Sequence, residues 1–146
     1  MQTTIDTTQL VAAIGDGVVV ADADGKIIMW NPACERIFGF SAAEAMAQSL
    51  DIIIPQRQQQ RHWDGFTKTM ETGQTRYGND VLRVPAVHKD GRSISIAFTV
   101  ALLPAPEGKV GAIVAVVRDE SKRFAEDRAL RARLTELESK AASIGN

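Results

Sequence analysis

The chain changes period twice. Two short runs rich in β-branched residues, Gly17-Val-Val-Val-Ala21 and Lys26-Ile-Ile-Met-Trp30, flank Asp22-Ala-Asp-Gly25. Such a pattern predicts a hairpin, with Gly25 supplying the positive φ of the turn. Before it, Leu10, Val11 and Ile14 fall on one side of a short helix over 7–14. After it, Pro32 suits the first turn of a helix that runs to Phe38 and is closed by Gly39. Ser41-Ala-Ala-Glu44 is a capping box that starts another short helix. Asp51-Ile-Ile-Ile-Pro55 is a brief apolar turn, and Pro55 leads into a longer helix ended by Thr72-Gly73. On that helix Trp63, Phe66 and Met70 share a face at i, i+3 and i+7. His62 lies about 40° from Phe66 around the wheel, on the margin of the stripe.

The second half reads as strands at 81–87, 93–103 and 110–117, with turns at Lys89-Asp90-Gly91 and Glu107-Gly108. In the middle strand Ile94, Ile96, Phe98 and Val100 alternate with Ser93, Ser95, Ala97 and Thr99, so one face is buried and the other weakly polar. Pro85 places its strand at a sheet edge, where no ladder bond is lost. From Ser121 the pattern becomes a charged helix in which Leu130, Leu134, Leu137, Ala141 and Ile144 follow coiled-coil spacing. About two heptads are present, short of the three or four that fix a coiled coil. A helix folded back on its own domain and a dimer seam both fit. The element order predicts an α+β domain, with short helices against one face of a five-stranded antiparallel sheet.

Composition narrows the partners. The 146 residues suit one core with a short extension; 45% are apolar and 24% charged. A net charge of −1, with basic residues scattered, offers no electrostatic case for nucleic acid or an anionic membrane. No apolar run reaches the roughly 18 residues of a membrane span, and the N-terminus lacks the basic and apolar regions of a signal peptide. The lone cysteine, Cys34, has no internal disulfide partner, which fits a reducing cytoplasm. No Ser/His/Asp set, nucleotide loop or metal-ligand spacing is present, so the reading is not an enzyme.

Three segments carry a family resemblance. Asp22-Ala-Asp-Gly-Lys-Ile-Ile-Met-Trp-Asn-Pro-Ala-Cys-Glu-Arg-Ile-Phe-Gly-Phe-Ser41 resembles the hairpin, Asn and first core helix of PAS domains. His88-Lys-Asp-Gly-Arg92 resembles their turn between the third and fourth strands, and Val117-Arg-Asp-Glu-Ser121 is similar to their Arg-Asp-x-Thr exit motif, with Ser for Thr. The resemblance covers roughly residues 9–121. It implies strand order 2-1-5-4-3, a cap helix over 1–15, a PAS core over 16–120 and a signalling helix over 121–146. It also implies a sensory or interaction module, often a homodimer through the C-terminal helix or the sheet face. Such a module passes its signal to a downstream output domain or partner protein, either as a free-standing sensor or as the input piece of a larger chain.

PAS domains hold haem, flavin, small organic ligands or nothing, so the pocket must be argued from side chains. Light-sensing flavin relatives use a cysteine near the position of Ile54-Pro-Gln-Arg-Gln58; none is there, and Cys34 is expected as a small buried filler. Non-covalent FAD stays open. Arg61-His62 after Pro55 is similar to a segment of oxygen-sensing haem PAS kinases whose His is the proximal iron ligand. That resemblance makes His62 the metal ligand of a haem b. Gly65, one turn on beside Phe66, bares backbone to a flat macrocycle, and Lys68 matches a basic residue near a propionate. On the distal side the resemblance puts Leu82 where oxygen sensors have an Arg, with Arg83 one place off on the opposite face. Phe98 and Val100 complete an apolar wall, which favours CO or NO sensing, redox sensing or a different O₂ contact unless Tyr77 turns inward. His88 is expected in solvent. Two readings stand: a gas or redox sensor with haem on His62, or a dimerisation module whose interior is packed without a cofactor or takes another ligand.

Overall fold

A computed structural model describes residues 3–75 and 79–145. The elements are α1 (Thr7–Ala13), β1 (Gly17–Asp22), β2 (Ile27–Trp30), α2 (Pro32–Phe38), α3 (Ala42–Ala45), a 3-10 turn (Leu50–Ile53), α4 (Gln56–Thr72), β3 (Leu82–Val87), β4 (Ser93–Pro104), β5 (Val110–Asp119) and α5 (Ser121–Ile144). The five antiparallel strands form one sheet in the order β2-β1-β5-β4-β3. Pro85 therefore sits on an edge strand, opposite Ser95. Gly25 holds φ at 82° in the β1–β2 turn, and the capping box at Ser41 and Glu44 is formed in both directions.

Strand alternation sorts the core onto two faces. Val19, Ile96 and Val117 point to the face covered by α2, α3, the 3-10 turn and α4, where Phe38, Ile27 and Cys34 are fully buried. Val18 and Val20 point the other way, against Val11 and Ile14 at the end of α1. Asn31 ties these layers together. Its Oδ1 accepts from the amides of Val18 (2.9 Å) and Cys34 (3.2 Å), while its Nδ2 donates to the carbonyls of Val11 (3.0 Å) and Asp16 (3.1 Å). A buried amide with every partner in place fixes where α1, β1 and α2 meet.

One expectation changes, and one open alternative closes. His88, expected in solvent, has only 15% of its side chain exposed. Gly39, left-handed at the end of α2, leaves the room: a Cβ there would lie 2.5 Å from His88 Cε1. The turn is further docked by the Lys89 amide on the Phe38 carbonyl (2.8 Å) and the Lys89–Glu44 ion pair. The exit helix does not fold back on its own domain: α5 has no buried residue, and Leu130 and Leu134 are 68% and 57% exposed.

Candidate ligand cavity

Between α4 and the inner sheet face lies a cavity of about 630 Å³, within the range of small-molecule sites. From α4 it is lined by Gln58, Arg61, His62, Gly65, Phe66 and Thr69, a face that advances by three and four residues per turn. Across from it stand Leu82, Val84, Ile96, Phe98, Val100 and Ala115. They share one face because Leu82 pairs with Phe98, Val84 with Ile96, and Val100 with Ala115. The 3-10 turn adds Leu50 and Ile53.

Six of the residues singled out in the sequence, His62, Gly65, Phe66, Leu82, Phe98 and Val100, meet around this space. Lys68 does not; it is exposed and absent from the wall. Tyr77 lies outside the described residues. Sequence reasoning missed Gln58 and Thr69, which hold the cavity stripe at 58, 62, 65 and 69, and gave Arg61 no role beyond its place beside His62. The spacing was there, but its polar members concealed an inward face. Trp63, grouped with the apolar stripe, points instead at the β1–β2 turn, where a Cβ on Gly25 would lie 2.2 Å from its ring.

His62 is half-buried, its ring edge-on to Trp63 at a centroid distance of 4.8 Å and tilted to Phe66 at 6.0 Å. Its Nδ1 is fully buried without a hydrogen-bond partner among the described residues. An orphaned buried nitrogen costs roughly 1–3 kcal/mol. Burial lowers the imidazole pKa, and the Asp51 carboxylate opposes part of that shift. The ring is therefore neutral at pH 7 and has a lone pair to give. Among the described residues no cluster of three His, Cys, Asp or Glu surrounds it, so a bare ion would find one protein donor here. A group that brings its own ligand set needs no more than one. Cys34 is elsewhere, with its Sγ 3.4 Å from the Val18 carbonyl and its pKa pushed up to about 12 by burial, so it supplies no thiolate.

The cavity also adjoins the exit helix. Ile96 lines it, and the next residue back, Ser95, donates its amide to Ser121 Oγ (3.0 Å) and accepts from the Glu120 amide (2.8 Å). The wall and the first turn of α5 are joined through one residue's backbone.

A family model described as PAS fold matches residues 6–119. An uncharacterised protein of Azorhizobium caulinodans is 33% identical over 119 residues, covering 79% of this chain and 16% of that protein. The oxygen sensor protein DosP of Escherichia coli is 28% identical over 110 residues, 75% of this chain and 14% of DosP. The sensor protein FixL of Bradyrhizobium diazoefficiens is 27% identical over 132 residues, 90% of this chain and 25% of FixL. The chain thus spans a quarter or less of these relatives. A solved PAS domain from Colwellia psychrerythraea superposes with a TM-score of 0.69 at 21% identity, covering 80% of this chain and 95% of that one. An RNA-binding light-oxygen-voltage receptor reaches 0.68 at 17% identity over 88% of this chain and 36% of the receptor. At these identities the likeness is one of fold.

Proposed function

The chain belongs to the PAS fold family, and from that premise we propose that this sensory domain binds haem b through His62 and responds to a diatomic gas or to redox state. The observation that carries the reading is the neutral imidazole of His62 on the wall of an apolar cavity. His62 offers the axial nitrogen, and Gly65 leaves space for a flat ring, since a Cβ there would meet nothing within 4 Å. When bound, haem supplies an iron centre that takes up a gas or changes oxidation state. Leu82, Phe98 and Val100 offer no hydrogen-bond donor, so these three positions favour CO, NO or redox over stabilisation of polarised O₂. DosP is named an oxygen sensor and FixL a sensor, which supports a sensory role for this domain.

The response would run through Ile96 and Ser95 into Glu120, Ser121 and α5. It requires that one arrangement of this joint hold the ligand more tightly than the other. α5 then carries the change to an output domain or partner. Its exposed Leu130, Leu134 and Leu137 favour a homodimer seam. No helix among the described residues is long and apolar enough to cross a membrane, and a cytoplasmic site is part of this proposal. Reconstitution with haem tests the binding claim: a Soret band abolished or shifted by His62→Ala supports it, and an unchanged band sinks it. Size exclusion with and without residues 122–146 tests the seam, which fails if both forms run as monomers. If haem does not bind, the exposed seam leaves a dimerisation module with another ligand, FAD included, or none.

A further inference from the structure

The charges of α5 follow its leucines. With Leu134 and Ala141 at heptad position a, and Leu130, Leu137 and Ile144 at position d, the seam is flanked by Glu126, Arg133 and Lys140 at g and by Arg131 and Glu138 at e. The leucines of this seam are at least 50% exposed. Glu126, Arg133 and Glu138 have no ion-pair partner among the described residues, whereas Arg131 is paired with Asp127 (3.1 Å) and Lys140 with Glu136 (3.6 Å) within the helix. A second α5 laid parallel and in register sets each g residue beside the following e residue of its partner. Glu126 then meets the partner's Arg131, and Arg133 meets the partner's Glu138, each pair of opposite sign. Two-fold symmetry makes every such contact twice. Laid antiparallel with the same apolar layers closed, Leu134 faces the partner's Leu137, and the flanks pair g with g and e with e. Arg133 then repels the partner's Lys140, and only the contacts between Arg131 and Glu138 attract.

We propose that α5 binds a second copy of itself in parallel and in register, with Glu126–Arg131 and Arg133–Glu138 pairs across the interface setting that direction. The assignment rests on the homodimer seam proposed above and adds its direction and register. Burial of the apolar layers supplies the attraction, and charge selects among arrangements that bury them equally, since an exposed ion pair is weak on its own. Toward the PAS core the heptad continues with Arg123 and Asp127 at position a, where parallel helices set like charge against like. The seam therefore closes from Leu130 onward, and the two helices diverge toward their cores. Both exits then lie at one end, so a change leaving one cavity arrives beside its counterpart.

Two measurements on the full chain test direction and charge separately. Ala141→Cys puts a thiol at position a, where parallel, in-register helices bring the two copies within the roughly 7 Å Cα separation that a disulfide tolerates. The antiparallel arrangement holds them about 16 Å apart along the axis. Cys34 does not compete, being buried with its thiol pKa pushed up to about 12. Oxidation with diamide should link Ala141→Cys into a covalent dimer at least ~10-fold faster than Ser139→Cys, whose thiol is on the outer face. For charge, Arg131→Glu/Arg133→Glu makes both flanks acidic, and Glu126→Lys/Glu138→Lys makes them basic. In sedimentation each variant alone should dimerise roughly tenfold more weakly than the wild type, or worse. Their equimolar mixture should recover the wild-type affinity, which also reports that both are folded. A wild-type dimer in which Ala141→Cys links no faster than Ser139→Cys, charge variants that dimerise as well as the wild type, or a mixture no tighter than its parts overturns the proposal and leaves the homodimer seam standing. A wild type that stays monomeric at every concentration sinks the seam and this geometry with it.

Discussion

Trp63 donates its indole N–H to Asp51 Oδ1 at 2.6 Å. The bond fastens α4 to the 3-10 turn one residue away from His62, and the same carboxylate opposes the effect of burial on the imidazole. Replacing Asp51 by Asn keeps an acceptor and removes the charge. His62 should then titrate at a lower pH than in the wild type, read from its ring protons by NMR. Asp51→Ala should in addition strand the indole N–H and lower stability by about 1–3 kcal/mol in urea unfolding.

Gly25 meets two demands at once. Its φ of 82° is left-handed, and a Cβ would lie 2.2 Å from Trp63 Cη2. Gly25→Ala should destabilise by roughly 3 kcal/mol, combining the left-handed strain of about 1–2 kcal/mol with overpacking of a similar size. A melting curve unchanged within a degree or two would show that Trp63 can move aside freely.

Gly65 should behave in the opposite sense. It lies inside α4, and a Cβ there would meet nothing within 4 Å. Gly65→Ala should raise stability by up to about 1 kcal/mol through helix propensity. The same methyl would enter the space offered to a ligand, so haem retention should fall, measured as faster transfer to apomyoglobin. Stability and retention rising together would place the ligand away from this turn of the helix.

The His62 shift fixes a pH dependence. Burial holds its folded pKa below the ordinary value of about 6.5. Above that value the ring is neutral in both states and the full stability is present. As pH falls below it, the unfolded chain takes up a proton that the folded chain refuses, so stability declines until the folded value is passed. Urea midpoints taken between about pH 8 and 5 should fall in the wild type. His62→Phe should remove part of that fall; identical profiles would mean that His62 is not the group responsible.

Much of the scaffold was legible because it follows local rules. Gly25, Gly39 and the Ser41–Glu44 box announce their turns and caps, and Pro85 announces its edge. The family resemblance put Leu82, Phe98 and Val100 on one wall, and the register pairs Leu82 with Phe98. What stayed hidden concerns empty space. Hydrophobic periodicity reports packing against protein, so it picked out Trp63, Phe66 and Met70 on α4 and passed over Gln58 and Thr69, which front a void. His88 was misjudged because the room it fills belongs to Gly39, distant in sequence. The orphaned Nδ1 of His62 is a relation to every neighbouring element, which no local pattern contains.

Phe98 and Val100 lie on a central strand yet are only partly buried, because the surface they face is the cavity. The domain's apolar interior therefore leaves a space that a ligand could fill. Whatever fills it raises the folding equilibrium by mass action, about 2.7 kcal/mol at a free concentration one hundred times the dissociation constant. In a cell with proteases, that makes occupancy and lifetime two readings of one equilibrium. Empty copies would be cleared first, so the surviving pool would itself record how much ligand had been present.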